Sequence, residues 1–110
     1  MIRKSVIRPA AQAEIDQQAD YLAEHAGEAF ALRFLEAVRS TIISLLELPG
    51  ASNPWLSDNP RLNGIRKHKV NGFPNHLLFY RCTKTDIEFL HLYHAKQDFA
   101  ERLTEDDDVI

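Results

Sequence analysis

"NGIRKHKVNGFPNHLLFYRCTKTDIEFLHLYH", Asn63 to His94, decides the architecture. It contains three runs of strand length, "NGIRKHKV", "NHLLFYRC" and "DIEFLHLYH", parted by the turn-forming "NGFP" and "TKT". The second and third runs are apolar at nearly every position, as befits central strands covered on both faces. The first alternates: Ile65, Lys67 and Lys69 point to one side, and Arg66, His68 and Val70 to the other. Its cations therefore face both ways, which suits a strand near the sheet edge.

Toward the N-terminus, "IRKSVIR" is short and β-branched and reads as a first strand ending near Arg8. Pro9 fits the first turn of a helix, where its missing N–H leaves nothing unpaired. Ala11, Ile15, Ala19, Leu22 and Ala26 recur at helical spacing and Gly27 follows as a C-cap, so a helix is expected over about residues 9–26. A second periodic run, Phe30, Phe34, Ala37, Val38, Thr41, Ile42 and Leu45, gives another helix that stops before Pro49. The short connection at Gly27 folds the two into an antiparallel hairpin. From Leu48 to Leu62 prolines, serines, Gly50 and Asn53 make an irregular loop, with Trp55 expected to fold back on the core. The segment Lys96 to Leu103 can form one or two helical turns, with Phe99 and Leu103 on one side. The order strand, helix, helix, three strands predicts an α+β domain, βααβββ, with a helical hairpin packed on a small, largely antiparallel sheet. One domain over residues 1–103 and an acidic, flexible tail over 104–110 are expected.

The net charge of −3 conceals a segregation along the chain. Pro9 to Glu47 carries seven acids against Arg33 and Arg39, and the tail "EDDDVI" adds four. Between them, Arg61 to Lys84 holds six lysines and arginines and no acid. Such a block reads as a face for an anionic partner, although any single lysine in it reads more readily as a polar residue on a half-exposed strand face. No apolar run has the length a bilayer requires, and "MIRKSVIRPA" has charges where a signal peptide keeps its hydrophobic stretch, so a cytoplasmic protein without membrane contact is expected. Cys82, the one cysteine, sits within an apolar run and reads as buried and inert.

Chemical motifs are few: there is no glycine-rich phosphate loop, nucleophile elbow or helical HExxH pair. His68, His76, His91 and His94 invite a metal reading, but His91 and His94 lie three apart on a strand and face opposite sides, and no acid stands beside them at ligand spacing. Neither a metal site nor a cofactor is expected. His94 has the best case for a functional role because it ends the last strand, within reach of the basic cluster.

The sequence resembles the RelE/ParE superfamily of bacterial type II toxins, and the ParE toxins in particular. The resemblance is carried by "RPAAQAEIDQQADYL" (Arg8 to Leu22), "AFALRFLEAV" at the start of the second helix, "GIRKHKV" (Gly64 to Val70), "FPNHLLFYR" (Phe73 to Arg81) and "LHLYHAKQD" (Leu90 to Asp98). It covers about residues 2–100, and its specificity lies in the order and spacing of these segments. The implied fold is the same βααβββ domain. ParE-like toxins poison DNA gyrase by binding it; RelE-like toxins are ribosome-dependent endoribonucleases that cut mRNA. Both are held inactive by a cognate antitoxin whose acidic, amphipathic segment covers the basic surface.

Metal-free RNA cleavage needs a base for the 2′-OH, a cation for the phosphorane and an acid for the leaving oxygen. Arg66 or Arg81 can supply the cation, His94 or Tyr93 the acid, and Lys67, His68 or Glu88 the base. The two long apolar-striped helices resemble ParE more closely, and the cations are few for docking on ribosomal RNA. A gyrase-directed toxin is therefore the expected function, with Arg66, Lys67, Lys69, Arg81, His94 and Lys96 as target-binding candidates; the ribonuclease alternative rests on Arg66, Arg81 and His94. In one place the chain departs from the family: relatives often carry an arginine three residues after the strand-ending histidine, where this sequence has Gln97, with Lys96 before it. Lysine is a point charge without a bidentate fork, so a planar contact made there by relatives is not reproduced.

Overall fold

The computed structural model describes residues 3–48 and 64–95. The loop with Trp55, the segment from Lys96 to Leu103 and the tail lie outside the described residues. The elements are β1 (Lys4–Ile7), α1 (Pro9–Ala26), α2 (Glu28–Glu47), β2 (Arg66–Val70), β3 (Phe73–Cys82) and β4 (Asp86–His94). They form a four-stranded sheet in the order β1-β4-β3-β2, antiparallel through the meander and parallel where β1 joins β4. The expected α+β architecture is the observed one, with β2 at an edge and the two most apolar strands in the centre.

Pro9 opens α1 at its first position, and the Gln12 N–H takes up the Arg8 carbonyl at 3.0 Å. Gly27 ends α1 and begins α2 at φ 98°, ψ 155°, a region essentially restricted to glycine, which is how the chain reverses between two long helices without a longer loop. Ile15, Ala19, Phe34, Val38, Ile42 and Leu45 press onto Val70, Leu78, Tyr80, Ile87, Phe89 and Leu92 to form the main core. The opposite face of the sheet is buried too: Ile65, Leu77, Phe79, Leu90 and Tyr93 form a second cluster. Both central strands are thus covered on both sides, as their continuous apolar runs imply.

Two irregularities set the register. β4 carries an extra residue opposite Phe79/Tyr80, so that Phe79 faces His91 while Tyr80 faces Phe89. β2 shifts between Lys69 and Val70, and the Asn71 N–H beside it donates to the Thr41 hydroxyl at 2.9 Å. That fully buried hydroxyl in turn donates to the Ala37 carbonyl at 2.7 Å, pinning the β2–β3 turn to α2.

Cys82 corrects the sequence reading. It is exposed, because the buried stretch of β3 ends at Tyr80 and Cys82 is the strand's last residue, next to the turn. Among the described residues no helix is long and apolar enough to cross a membrane.

β1 reaches only to Phe89 of β4, and the Arg8 N–H extends the ladder by one bond to the Phe89 carbonyl at 3.0 Å. Beyond that point no strand among the described residues pairs with this edge of β4. Glu14 of α1 takes over: its Oε1 accepts the Leu92 N–H at 3.2 Å and lies 2.9 Å from His91 Nδ1. A carboxylate only accepts, so Nδ1 carries the proton in that pair. Leu92 and His91 are both buried, so removing the acceptor strands donors away from water. Glu14→Ala is expected to lower stability by about 2 kcal/mol, and Glu14→Gln, which keeps one acceptor oxygen, by less. Urea unfolding midpoints check this, and an unshifted midpoint for Glu14→Ala would contradict it.

Candidate functional site

The sheet sorts the basic residues onto two faces. Arg66 and His68 stand opposite Tyr80 and Leu78 and share their side, toward the helices. Lys67 and Lys69 stand opposite Phe79 and Leu77, on the side away from the helices. Arg81 falls on that second side as well, two residues beyond Phe79. Lys67, Lys69 and Arg81 are therefore brought together as a cationic rim around the second apolar cluster, whereas Arg66 is not part of it. Lys96 lies outside the described residues.

Arg81 is held in place. Its Nη2 lies 3.5 Å from Glu88 Oε2, on the facing position of β4, and Arg8 Nη1 lies 3.7 Å from the same oxygen. One carboxylate between two guanidiniums leaves a net positive cluster where β1, β3 and β4 meet. Glu88, a candidate base in the sequence, is thus engaged as the counter-ion of Arg81.

His94 lies elsewhere. It closes β4 directly opposite His76 of β3, and the rings meet edge to face with centroids 5.4 Å apart. His76 also meets Phe34 edge to face, at 5.1 Å. The pair lies between two hollows. One, of about 330 Å³, runs between α2 and the start of β3 and is bounded by Phe30, Arg33, Phe73 and Asn75; Arg33 lies over the Phe30 ring, 5.1 Å from its centroid. The other, of about 250 Å³, faces α1 and is bounded by Glu14, Gln17, Tyr21 and Tyr93. His91 faces away from His94, as their spacing requires, and stacks on Tyr93 at 4.7 Å.

The groups offered for phosphoryl chemistry are spread out. Arg81 lies five residues along β3 from the position opposite His94, roughly 16 Å at about 3.3 Å per residue, and the two side chains rise from opposite faces. Arg66, opposite Tyr80, is on the face of His94 but four residues along, roughly 13 Å by the same measure. What sequence reasoning missed is the partnership of His76 with His94 and of Glu14 with His91. The first follows from register, set by a bulge that no local pattern announces. The second joins residues 77 apart.

His76 is the titrating group that stands out. Burial, and secondarily the neighbouring His94, hold its pKa below the usual histidine value. The folded state then binds fewer protons on this ring than the unfolded chain does. Its contribution to stability is full above the unfolded pKa of about 6.5 and is lost as pH falls through the lower folded value. His76→Phe, which keeps the ring packing, is expected to reduce the loss of stability between about pH 7.5 and about pH 5.5. Thermal unfolding across that range checks this; an identical pH slope in the variant would contradict it.

A comparison with solved structures finds a match to a protein described as the chromosomal ParDE toxin–antitoxin system from P. aeruginosa, with a TM-score of 0.72 over 86% of this chain and 98% of the other. At 18% identity that likeness speaks for the fold. No curated protein sequence matches. The family model for the ParE toxin of the type II toxin–antitoxin system parDE matches residues 6–99, from β1 through β4 and past it. By that match, which spans the helical hairpin, the meander and the His76–His94 pair alike, the chain belongs to the ParE toxins of type II toxin–antitoxin systems.

Proposed function

We propose that this toxin acts in the cytoplasm by binding and poisoning DNA gyrase, with no chemistry of its own, and that a cognate antitoxin neutralises it. The observation that carries this reading is the separation of Arg66, Arg81 and His94. General acid catalysis and charge stabilisation must converge on one phosphate, whereas the backbone positions of the two arginines lie roughly 13 to 16 Å along the strands from that of His94, and Arg81 rises from the other face. The same groups suit contact with a protein target or nearby DNA, where charges spread over an extended surface each add to attraction.

One feature favours the alternative, ribosome-dependent mRNA cleavage. His76 and His94 are adjacent imidazoles with Arg33 at the same hollow, a set that offers base, acid and cation together. The two readings part experimentally. Purified protein, gyrase, supercoiled plasmid and ATP, followed by detergent and protease, should yield linear DNA. In that assay His94→Ala is expected to weaken the effect by about tenfold or less, the loss of one surface contact. Absence of linear DNA from a preparation that still arrests growth would transfer the function to mRNA cleavage, with arrest abolished in His94→Ala.

For the antitoxin, the supporting feature is an apolar groove of about 410 Å³ between β1, α1 and α2, lined by Ile7, Ile15, Leu35, Ile43 and Leu46 with Arg39 among them. Ile7, Leu35 and Ile43 are exposed there, and a lone cation in an apolar groove suits an amphipathic segment carrying acids. Leu35→Glu is expected to weaken antitoxin binding by about tenfold or more while leaving linear-DNA formation intact. Unchanged antitoxin affinity in calorimetry would move the interface to another face.

A further inference from the structure

The His76–His94 pair has a geometry that a target contact by His94 alone does not require. The Ala95 N–H donates to the Asn75 carbonyl at 2.7 Å, which makes 75/95 a hydrogen-bonded pair and 76/94 a non-hydrogen-bonded one. In such a pair the facing side chains stand closest. Two imidazoles sharing one ion at about 2 Å from each nitrogen, at a tetrahedral angle, have ring centres about 5 Å apart. The observed separation is 5.4 Å, with the rings at 82°.

His76 also has no hydrogen-bond partner among the described residues. Both of its ring nitrogens are shut off from solvent, and neither hydrogen-bonds to any described residue. Each neutral imidazole carries one donor and one acceptor, and a buried polar group left unpaired is unfavourable, so a ligand for either nitrogen is favoured. The ring borders both hollows, and the broad two-fold χ2 of histidine lets a nitrogen swing toward one of them without backbone movement.

We propose that His76 and His94 form a two-histidine site for a divalent transition-metal ion of the zinc, nickel or copper class. Imidazole nitrogen selects these ions over calcium and magnesium, which take oxygen ligands. Among the described residues no third histidine, cysteine or acid completes a cluster, so water fills the remaining positions. Affinity is accordingly on the order of micromolar, well short of a closed structural site. The other described histidines are placed apart: His91 is against Glu14 on the opposite side of the sheet, His25 lies beside Tyr21 on α1, and His68 is on β2.

The test is calorimetric titration of zinc or nickel into the untagged full chain, with His76→Phe, His94→Phe and the control His68→Gln. One ion per chain is expected, with affinity reduced at least about tenfold in each of the first two variants and unchanged in the control. Unchanged affinity in His76→Phe, or no binding by the folded wild type up to millimolar metal, overturns the site. Should either phenylalanine variant fail to fold, paramagnetic nickel added to the wild type decides. Selective broadening of the His76 and His94 ring resonances supports the site, and broadening of His25 or His68 instead overturns it.

Discussion

β4 is the strand on which this fold depends, and Glu14 caps its edge where β1 ends. Phe89 to Tyr93 are buried on both faces, and β3 pairs with one edge on either side of the bulge at Leu90. β1, only four residues long, satisfies the other edge as far as Phe89. A buried amide beyond that point must find an acceptor or destabilise the strand. The carboxylate of Glu14 supplies it to Leu92 and meets His91 in the same contact, so α1 is fixed to the sheet by a polar bond as well as by its apolar stripe. That bond also sets the wall of one hollow beside His76 and His94, linking the stability of the sheet to the shape of the candidate site.

Much of the architecture was legible in the sequence because it rests on periodicity. The helical spacing of Ala11, Ile15 and Ala19, the stripe from Phe34 to Leu45 and the largely apolar runs of the last two strands each have one physical reading, and the structure carries it out. Pro9 and Gly27 mark helix ends for backbone reasons that need no tertiary context. Even the edge position of β2 follows from cations on both of its sides.

What was not legible depends on register and long-range contact. Cys82 read as buried because its neighbours are apolar, but the strand emerges from the core two residues earlier. His76 seemed ordinary until pairing placed it opposite His94. The division of the β2 cations between two faces was legible from alternation, but which partners they join was not: pairing sets Lys67 and Lys69 beside Arg81 on the face away from the helices, and Arg66 and His94 on the helix side at different heights. Composition reports how many charges a segment has, and only the register reports which of them act together.

That division bears on mechanism. A binder can use charges on two faces and at several heights, since each contributes to attraction on its own; a catalyst must gather them within a few ångströms of one atom. Under the proposed binding of gyrase, inhibition is stoichiometric. The most direct test is to titrate purified protein against a fixed amount of gyrase, at gyrase concentrations far above the dissociation constant, and follow supercoiling of relaxed plasmid. Stoichiometric binding gives activity falling linearly to a break near equimolar toxin and gyrase subunit. Undiminished supercoiling at large molar excess, from protein that arrests growth, would contradict it.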